Sequence, residues 1–161
     1  MPKQSSDQIR CLLRKEWVAA LPEEVVRQKL IYQMINQLGY PASNLVLEKS
    51  LKQIPHIAQQ GVKLPLRRAD ILCFSSGIHP VYDLYPLLLI ECKAVKLTSK
   101  VISQVAGYNH YLQAYYICVA NQDEIRTGWY DAAKQEYTFV DRLPSYLELK
   151  NTLKFNAKTQ R

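Results

Sequence analysis

Two stretches constrain the fold more than anything else in this chain: Arg68-Ala69-Asp70-Ile71-Leu72-Cys73-Phe74 and Leu87-Leu88-Leu89-Ile90-Glu91-Cys92-Lys93-Ala94. Both fall far short of the roughly 20 apolar residues a membrane span needs. Side chains alternate across a strand, so runs apolar at odd and even positions alike predict central strands covered on both faces. By that alternation Leu87, Leu89, Glu91 and Lys93 share one face, and Leu88, Ile90, Cys92 and Ala94 the other. Asp70 shares a face with Leu72 and Phe74. Each strand therefore carries ionisable groups at one end, where its neighbours are core. An unpaired buried carboxylate costs several kcal/mol, so these groups require compensation.

Two compensations are open. In one, Asp70 or Glu91 pairs with Lys93 or Arg67 as a structural ion pair. In the other, the two carboxylates bind a divalent cation beside Lys93. Two carboxylates completed by waters, a backbone carbonyl and a phosphate oxygen suit Mg²⁺, which keeps several waters in such sites. Such an ion polarises a phosphodiester and lowers the pKa of a bound water. Lys93 would then orient that water or stabilise charge growing on the phosphate.

The rest of the chain supplies a frame for these strands. Pro22 suits the first turn of a helix, Glu23 and Glu24 favour its positive end, and Gly39-Tyr40-Pro41 stops it. Between them Val26, Leu30, Ile31, Met34, Ile35 and Leu38 recur at helical spacing. Glu23, Glu24 and Arg27 fall on or beside that core-facing arc, so they must meet a partner or a cleft. A shorter helix is expected over residues 7–20, a strand over 45–51, and loops around Pro55 and Gly61 and over 75–86. A second helix over 99–113, capped by Ser99, precedes a buried strand over 114–120 and a hairpin at 127–131 and 136–140. A last helical stretch from Leu143 runs into a basic tail, Lys158-Thr159-Gln160-Arg161. The order predicts an α/β fold, a sheet flanked by helices.

Composition narrows the function. The 161 residues suit a single domain, and 48% hydrophobic content excludes a disordered chain. The formal net charge of +7 favours a polyanionic partner, nucleic acid being the usual one, although no run of five basic residues occurs. Cys11, Cys73, Cys92 and Cys118 form no C-x-x-C pair, and His56, His79 and His110 form no H-E-x-x-H. Zinc-knuckle and metalloprotease chemistry therefore lack their residues, and the thiols read as buried and reduced. The polar opening, Met1-Pro2-Lys3-Gln4-Ser5-Ser6-Asp7, lacks a secretory apolar stretch, so a soluble cytoplasmic protein with no membrane partner is expected.

Asp70 followed by Glu91-Cys92-Lys93 resembles the D…E-x-K core of the PD-(D/E)-x-K nuclease superfamily. Pro22-Glu23-Glu24-Val25-Val26-Arg27-Gln28 is similar to the P-E-E-x-V-R-Q opening of the N-terminal nuclease domain of type I restriction enzyme R subunits. Gly39-Tyr40-Pro41, Arg68-Ala69-Asp70-Ile71, Leu89-Ile90-Glu91-Cys92-Lys93-Ala94 and Gln104-Val105-Ala106-Gly107-Tyr108-Asn109 resemble that family's pattern in order, over residues 20–145. Asn121-Gln122 departs from the family's Asn-Gly, and no G-x-x-x-x-G-K-[ST] appears, so the chain is expected to be the nuclease-like module without a translocase.

The resemblance implies a restriction-endonuclease-like sheet flanked by helices, with a nuclease-like core at 20–145 between an N-terminal helix and the basic tail. It implies Asp70 and Glu91, with the Cys92 carbonyl, as ligands of Mg²⁺ or Mn²⁺, and Lys93 as the catalytic lysine. Glu24, or alternatively Glu23, becomes the helical carboxylate that supports the ion through water. Gln104 and Tyr108, one turn apart, face the site. Arg67, Arg68, Lys96 and Lys100 flank these motifs and are candidate phosphate contacts. The function implied is metal-dependent hydrolysis of DNA, with a homodimer or a restriction-system protein as further partners. The alternatives are a non-catalytic module that binds nucleic acid or a partner, and a structural subunit whose buried charges form ion pairs.

Overall fold

A computed structural model describes residues 7–58, 61 and 63–159; the polar opening before Asp7 and the end of the basic tail, Gln160 and Arg161, lie outside them. Two short antiparallel strands, β1 (Gln8–Arg10) and β2 (Trp17–Ala19), come first. This corrects the helix expected over 7–20. Lys15 adopts a left-handed φ of 60°, the Cys11 N–H donates to the Glu16 carbonyl at 2.8 Å, and the bulky Trp17 and Val18 prefer extended backbone. Three-residue strands are too short to show a period, so their pairing is decided by this turn.

Helix α1 (Pro22–Asn36) follows, begun by Pro22 and ended by Gly39, whose φ of 71° lets the Tyr40 N–H reach back to the Met34 carbonyl. Then come β3 (Leu45–Ser50), the one-turn α2 (Pro55–Ala58), β4 (Arg68–Ser76) and β5 (Leu84–Cys92). Helix α3 (Ser99–Leu112), β6 (Tyr116–Ala120), β7 (Ile125–Asp131), β8 (Glu136–Val140) and α4 (Tyr146–Thr159) complete the order. Thr98, rather than Ser99, caps α3, its hydroxyl accepting from the Val101 N–H.

The strands form one six-stranded mixed sheet in the order β3-β4-β5-β6-β7-β8, antiparallel except for β5 and β6, which α3 connects. Ile71, Cys73, Leu88, Ile90 and Cys118 face a core closed by α1 and by Leu143 and Leu149 near the C-terminal helix. Leu72, Leu89, Ile117 and Val119 face a second core closed by Val105, Tyr108 and Leu112 of α3. Strands β4 and β5 are thus covered on both faces, which is why their sequences are apolar throughout. All four cysteines are free and buried. This is the α/β arrangement, a mixed sheet flanked by helices, that the sequence leads one to expect.

Two expectations about β5 are corrected. The loop placed at 75–86 shrinks to residues 77–83, because the two strands continue into a hairpin. The register passes from Cys73↔Leu88 to Phe74↔Pro86, leaving Leu87 as the extra residue of a bulge. Leu87 therefore packs in the same core as Leu88 and Ile90, and does not share a face with Leu89. Proline has no N–H to give the ladder, and a bulge beside Pro86 accommodates that loss.

Candidate functional site

Asp70 lies near the start of β4 and Glu91 near the end of β5, so an antiparallel pairing brings them to one end of the sheet. Extending the Ile71↔Ile90 register by one step sets Asp70 opposite Glu91. Glu91 lies towards Tyr108 of α3, whereas Asp70 borders the α1 side and does not share the Leu72 and Phe74 core as its spacing suggested. The Cys92 N–H donates to Asp70 Oδ2 at 2.8 Å and fixes the aspartate across the two strands.

Glu91 is only 3% exposed, and its Oε1 is buried with no hydrogen-bond partner. Its Oε2 meets the Arg67 guanidinium at 3.5 Å, at the long limit for a hydrogen bond. Burial first, then the neighbouring Asp70 charge and a side-chain hydrogen bond shared with Asp70, push the Glu91 carboxyl up to about 8, against the pull of Arg67 and Lys93. The Arg67 guanidinium lies 5.4 Å from the centre of the Tyr108 ring, and the Tyr108 hydroxyl donates to the Arg67 carbonyl at 3.3 Å. Burial and the Glu91 charge push that hydroxyl up to about 12, which places Tyr108 within the same electrostatic cluster. Lys93 continues the strand ladder by one residue, its N–H donating to the Ala120 carbonyl at 2.8 Å.

Asp70 also borders a cavity of about 160 Å³ beside α1, lined by Glu23, Glu24, Arg27, Glu48 and Cys92 among others. Glu23 is exposed at this cavity, whereas Glu24 is half-buried. Glu24 is held in an ion pair with Arg27 and accepts from Gln28 Nε2 at 2.8 Å. Burial opposes the charge on Arg27, but Glu24, Glu48 and Asp70 around it more than compensate and raise its pKa.

The structure thus gathers Asp70, Glu91, Arg67 and Tyr108, with Lys93 beside them and Glu24 across the cavity. It leaves others apart. Gln104 is exposed one turn before Tyr108, and no hydrogen bond among the described residues joins it to the cluster. Arg68, Lys96 and Lys100 are exposed and touch neither acid. The residue that sequence reasoning missed is Glu48, whose carboxylate meets Arg14 at 2.8 Å and Arg27 at 3.5 Å. Its one signal is that the apolar pattern of Leu45-Val46-Leu47 stops there.

Among the described residues no group of three or more His, Cys, Asp or Glu side chains is arranged around a common point for an ion. A cation here would rest on two carboxylates, completed by backbone and solvent. That donor set suits a hard ion such as Mg²⁺, and Glu91 and Asp70 form a carboxyl pair in which Glu91 Oε1 is buried and reached by no donor from another residue.

Fold and acidic pair together define the class: an α/β domain with a D…E-x-K arrangement at one end of a mixed sheet. The family model for the N terminus of the R protein of type I restriction enzymes matches residues 22–144, and the chain belongs to that family. Among solved structures, a fragment assigned as an HsdR subunit of a type I restriction enzyme from Vibrio vulnificus YJ016 aligns with a TM-score of 0.48 and 18% identity. The alignment covers 81% of this chain and 24% of that one, so the present chain spans about a quarter of its length. The curated proteins give no match.

Proposed function

We propose that the chain is a divalent-metal-dependent nuclease that hydrolyses DNA phosphodiester bonds at the Asp70–Glu91 pair. The observation that supports this reading is the buried Glu91 carboxyl held against a second carboxyl, Asp70, with only one long contact to a cation. A structural ion pair does not complete the compensation, because Arg67 reaches only Oε2 and at 3.5 Å. Asp70, Glu91 and the Cys92 carbonyl would hold Mg²⁺ or Mn²⁺. Such an ion, when bound, supplies Lewis-acid polarisation of a phosphodiester and a water of lowered pKa.

The chain's own residues do the rest. Lys93 stabilises negative charge building on the phosphate and orients the attacking water. Arg67, its guanidinium 5.4 Å from the centre of the Tyr108 ring, offers a fork of donors to a phosphate oxygen. Glu24, steadied by Arg27 and Gln28, faces the same cavity and orders solvent within it. Gln104, Arg68, Lys96 and Lys100 lie outward, where backbone contacts to DNA would add affinity without reading sequence. A restriction-system protein or a second copy of the chain is the further partner proposed.

The test is plasmid nicking by the 161-residue chain with Mg²⁺ or Mn²⁺. Cleavage is expected to fall by about 10²–10³-fold or more in Lys93→Ala while DNA binding survives. Undiminished cleavage by that variant would overturn the assignment. DNA binding that is steeply salt-dependent, indifferent to EDTA and never followed by cleavage would instead identify a non-catalytic module.

A further inference from the structure

Glu48 has no role in the proposed chemistry, yet it is the residue in this region whose backbone is least comfortable. It has a φ of 51° in the middle of β3, a left-handed conformation that costs a non-glycine residue about 1–3 kcal/mol. Such a residue persists only where its surroundings over-determine it, and such residues cluster at functional sites. The pairings Leu47↔Ile71 and Lys49↔Ala69 bracket it opposite Asp70, so Glu48, Asp70 and Glu91 form one acidic row across β3, β4 and β5.

The side chain gains two cations from this conformation. Glu48 Oε2 accepts from Arg14 of the N-terminal hairpin at 2.8 Å, and Oε1 meets the Arg27 guanidinium at 3.5 Å. The hairpin is tied to α1 as well, the Leu12 N–H donating to Gln28 Oε1 at 2.9 Å. Arg27 is 8% exposed and lines the cavity that Asp70 borders, close enough for the Asp70 charge to act on it. A guanidinium carries five donors. Glu24 takes the Nε donor and shares Nη2 with Glu48, so without Glu48 the guanidinium loses its one pull towards β3 and Asp70 is the charge left on the strand side.

We infer that Glu48 is a positioning residue: by holding Arg27 from the β3 side it keeps the guanidinium from closing onto Asp70, and so leaves the aspartate free for a divalent cation. The inference rests on the acidic pair being a cation site, as proposed above. Partners that orient a metal ligand typically contribute 10–100-fold in affinity, and a loss of about that size is expected here.

The experiment is a calorimetric titration of the 161-residue chain with Mn²⁺ alone. Glu48→Gln is expected to bind about 10–100-fold more weakly than the unaltered chain. Glu48→Gly, which relaxes the backbone while removing the carboxylate, should stay folded and bind as weakly. The double variant Arg27→Gln with Glu48→Gln removes the competing cation and should recover most of the lost affinity, which a merely structural role would not produce. Binding by Glu48→Gln or Glu48→Gly equal to the unaltered chain, or a double variant no tighter than Glu48→Gln, would overturn the inference. Should the unaltered chain bind no Mn²⁺, the reading of Asp70 and Glu91 falls first and this inference with it.

Discussion

The two ends of β5 are built on opposite plans. Near its start, Tyr85 stacks on His79 with centroids 4.3 Å apart and leans on His56 at 5.0 Å, with Tyr82 and Tyr115 completing a cluster of rings. Polar atoms here are matched: Tyr85 donates to the Gln113 carbonyl at 2.6 Å, Tyr115 to that of Ile78 at 2.9 Å, and His56 Nε2 sits 3.0 Å from that of Leu112. Near its end, Glu91 keeps a buried oxygen that no donor from another residue reaches, its company being the Asp70 carboxyl, and three arginines serve an acidic row without covering it. One end closes its hydrogen-bond accounts against the C-terminus of α3; the other leaves one open. A satisfied buried cluster rigidifies a scaffold, whereas an unsatisfied one marks where a partner from outside is wanted.

Three measurements would sharpen or break this contrast. The largest effect belongs to the ring end: Tyr85→Ala should cost about 3–5 kcal/mol in denaturant unfolding, while the fraction that remains folded keeps its Mn²⁺ affinity. Loss of cation binding with the fold intact would mean that the two ends are not separate.

Next comes Glu91→Gln. The Glu91 carboxyl ionises near 4.5 when unfolded but only at about 8 in the fold, so the native state holds its proton more tightly. Stability that is full below about pH 4.5 should therefore be lost as pH climbs to about 8 in the presence of EDTA. Glu91→Gln should flatten that slope and raise stability at pH 8 by about 1–3 kcal/mol, at the expense of cation binding. A melting temperature at pH 8 that drops in this variant would show that the carboxylate is already well paired.

The smallest effect is the mirror image at the ring end. Burial lowers the pKa of His56 below its ordinary 6.5, the Leu112 carbonyl only partly opposing it. The unfolded chain then takes up the proton first, and stability should fall as pH drops below about 6.5. His56→Gln should remove this acid limb alone and leave the alkaline one in place. If it altered both, the comparison would fail.

Much of this was legible in the residues, for reasons that differ by element. Pro22 and Gly39 mark the ends of α1 because ring closure and a positive φ are local properties. Strands β4 and β5 announce themselves by being apolar on both faces, and Asp70 and Glu91 by interrupting that pattern. The hairpin at β1 and β2 was not legible, because three-residue strands show no period and the turn that pairs them rests on a left-handed Lys15. Glu48 left only a break in the apolar pattern of β3, since neither its left-handed backbone nor its two arginines can be read from its neighbours. The bulge at Leu87 was hinted at only by Pro86, which permits a break in the ladder without dictating its direction. Gln104 shows the converse: its place one turn from Tyr108 is set by helical spacing, but how near it comes to the acids depends on how α3 docks.

The hairpin between β4 and β5 also sets an order of assembly. Its turn occupies only residues 77–83, so Asp70 and Glu91 are drawn together by zipping one short loop. The parallel pairing of β5 with β6 must wait for a longer excursion of chain through α3, and longer closures cost more entropy. The two acids consequently first approach each other in water, while both are still hydrated. The dry environment that makes their company costly arrives last, when the helices settle over the sheet and bury Glu91.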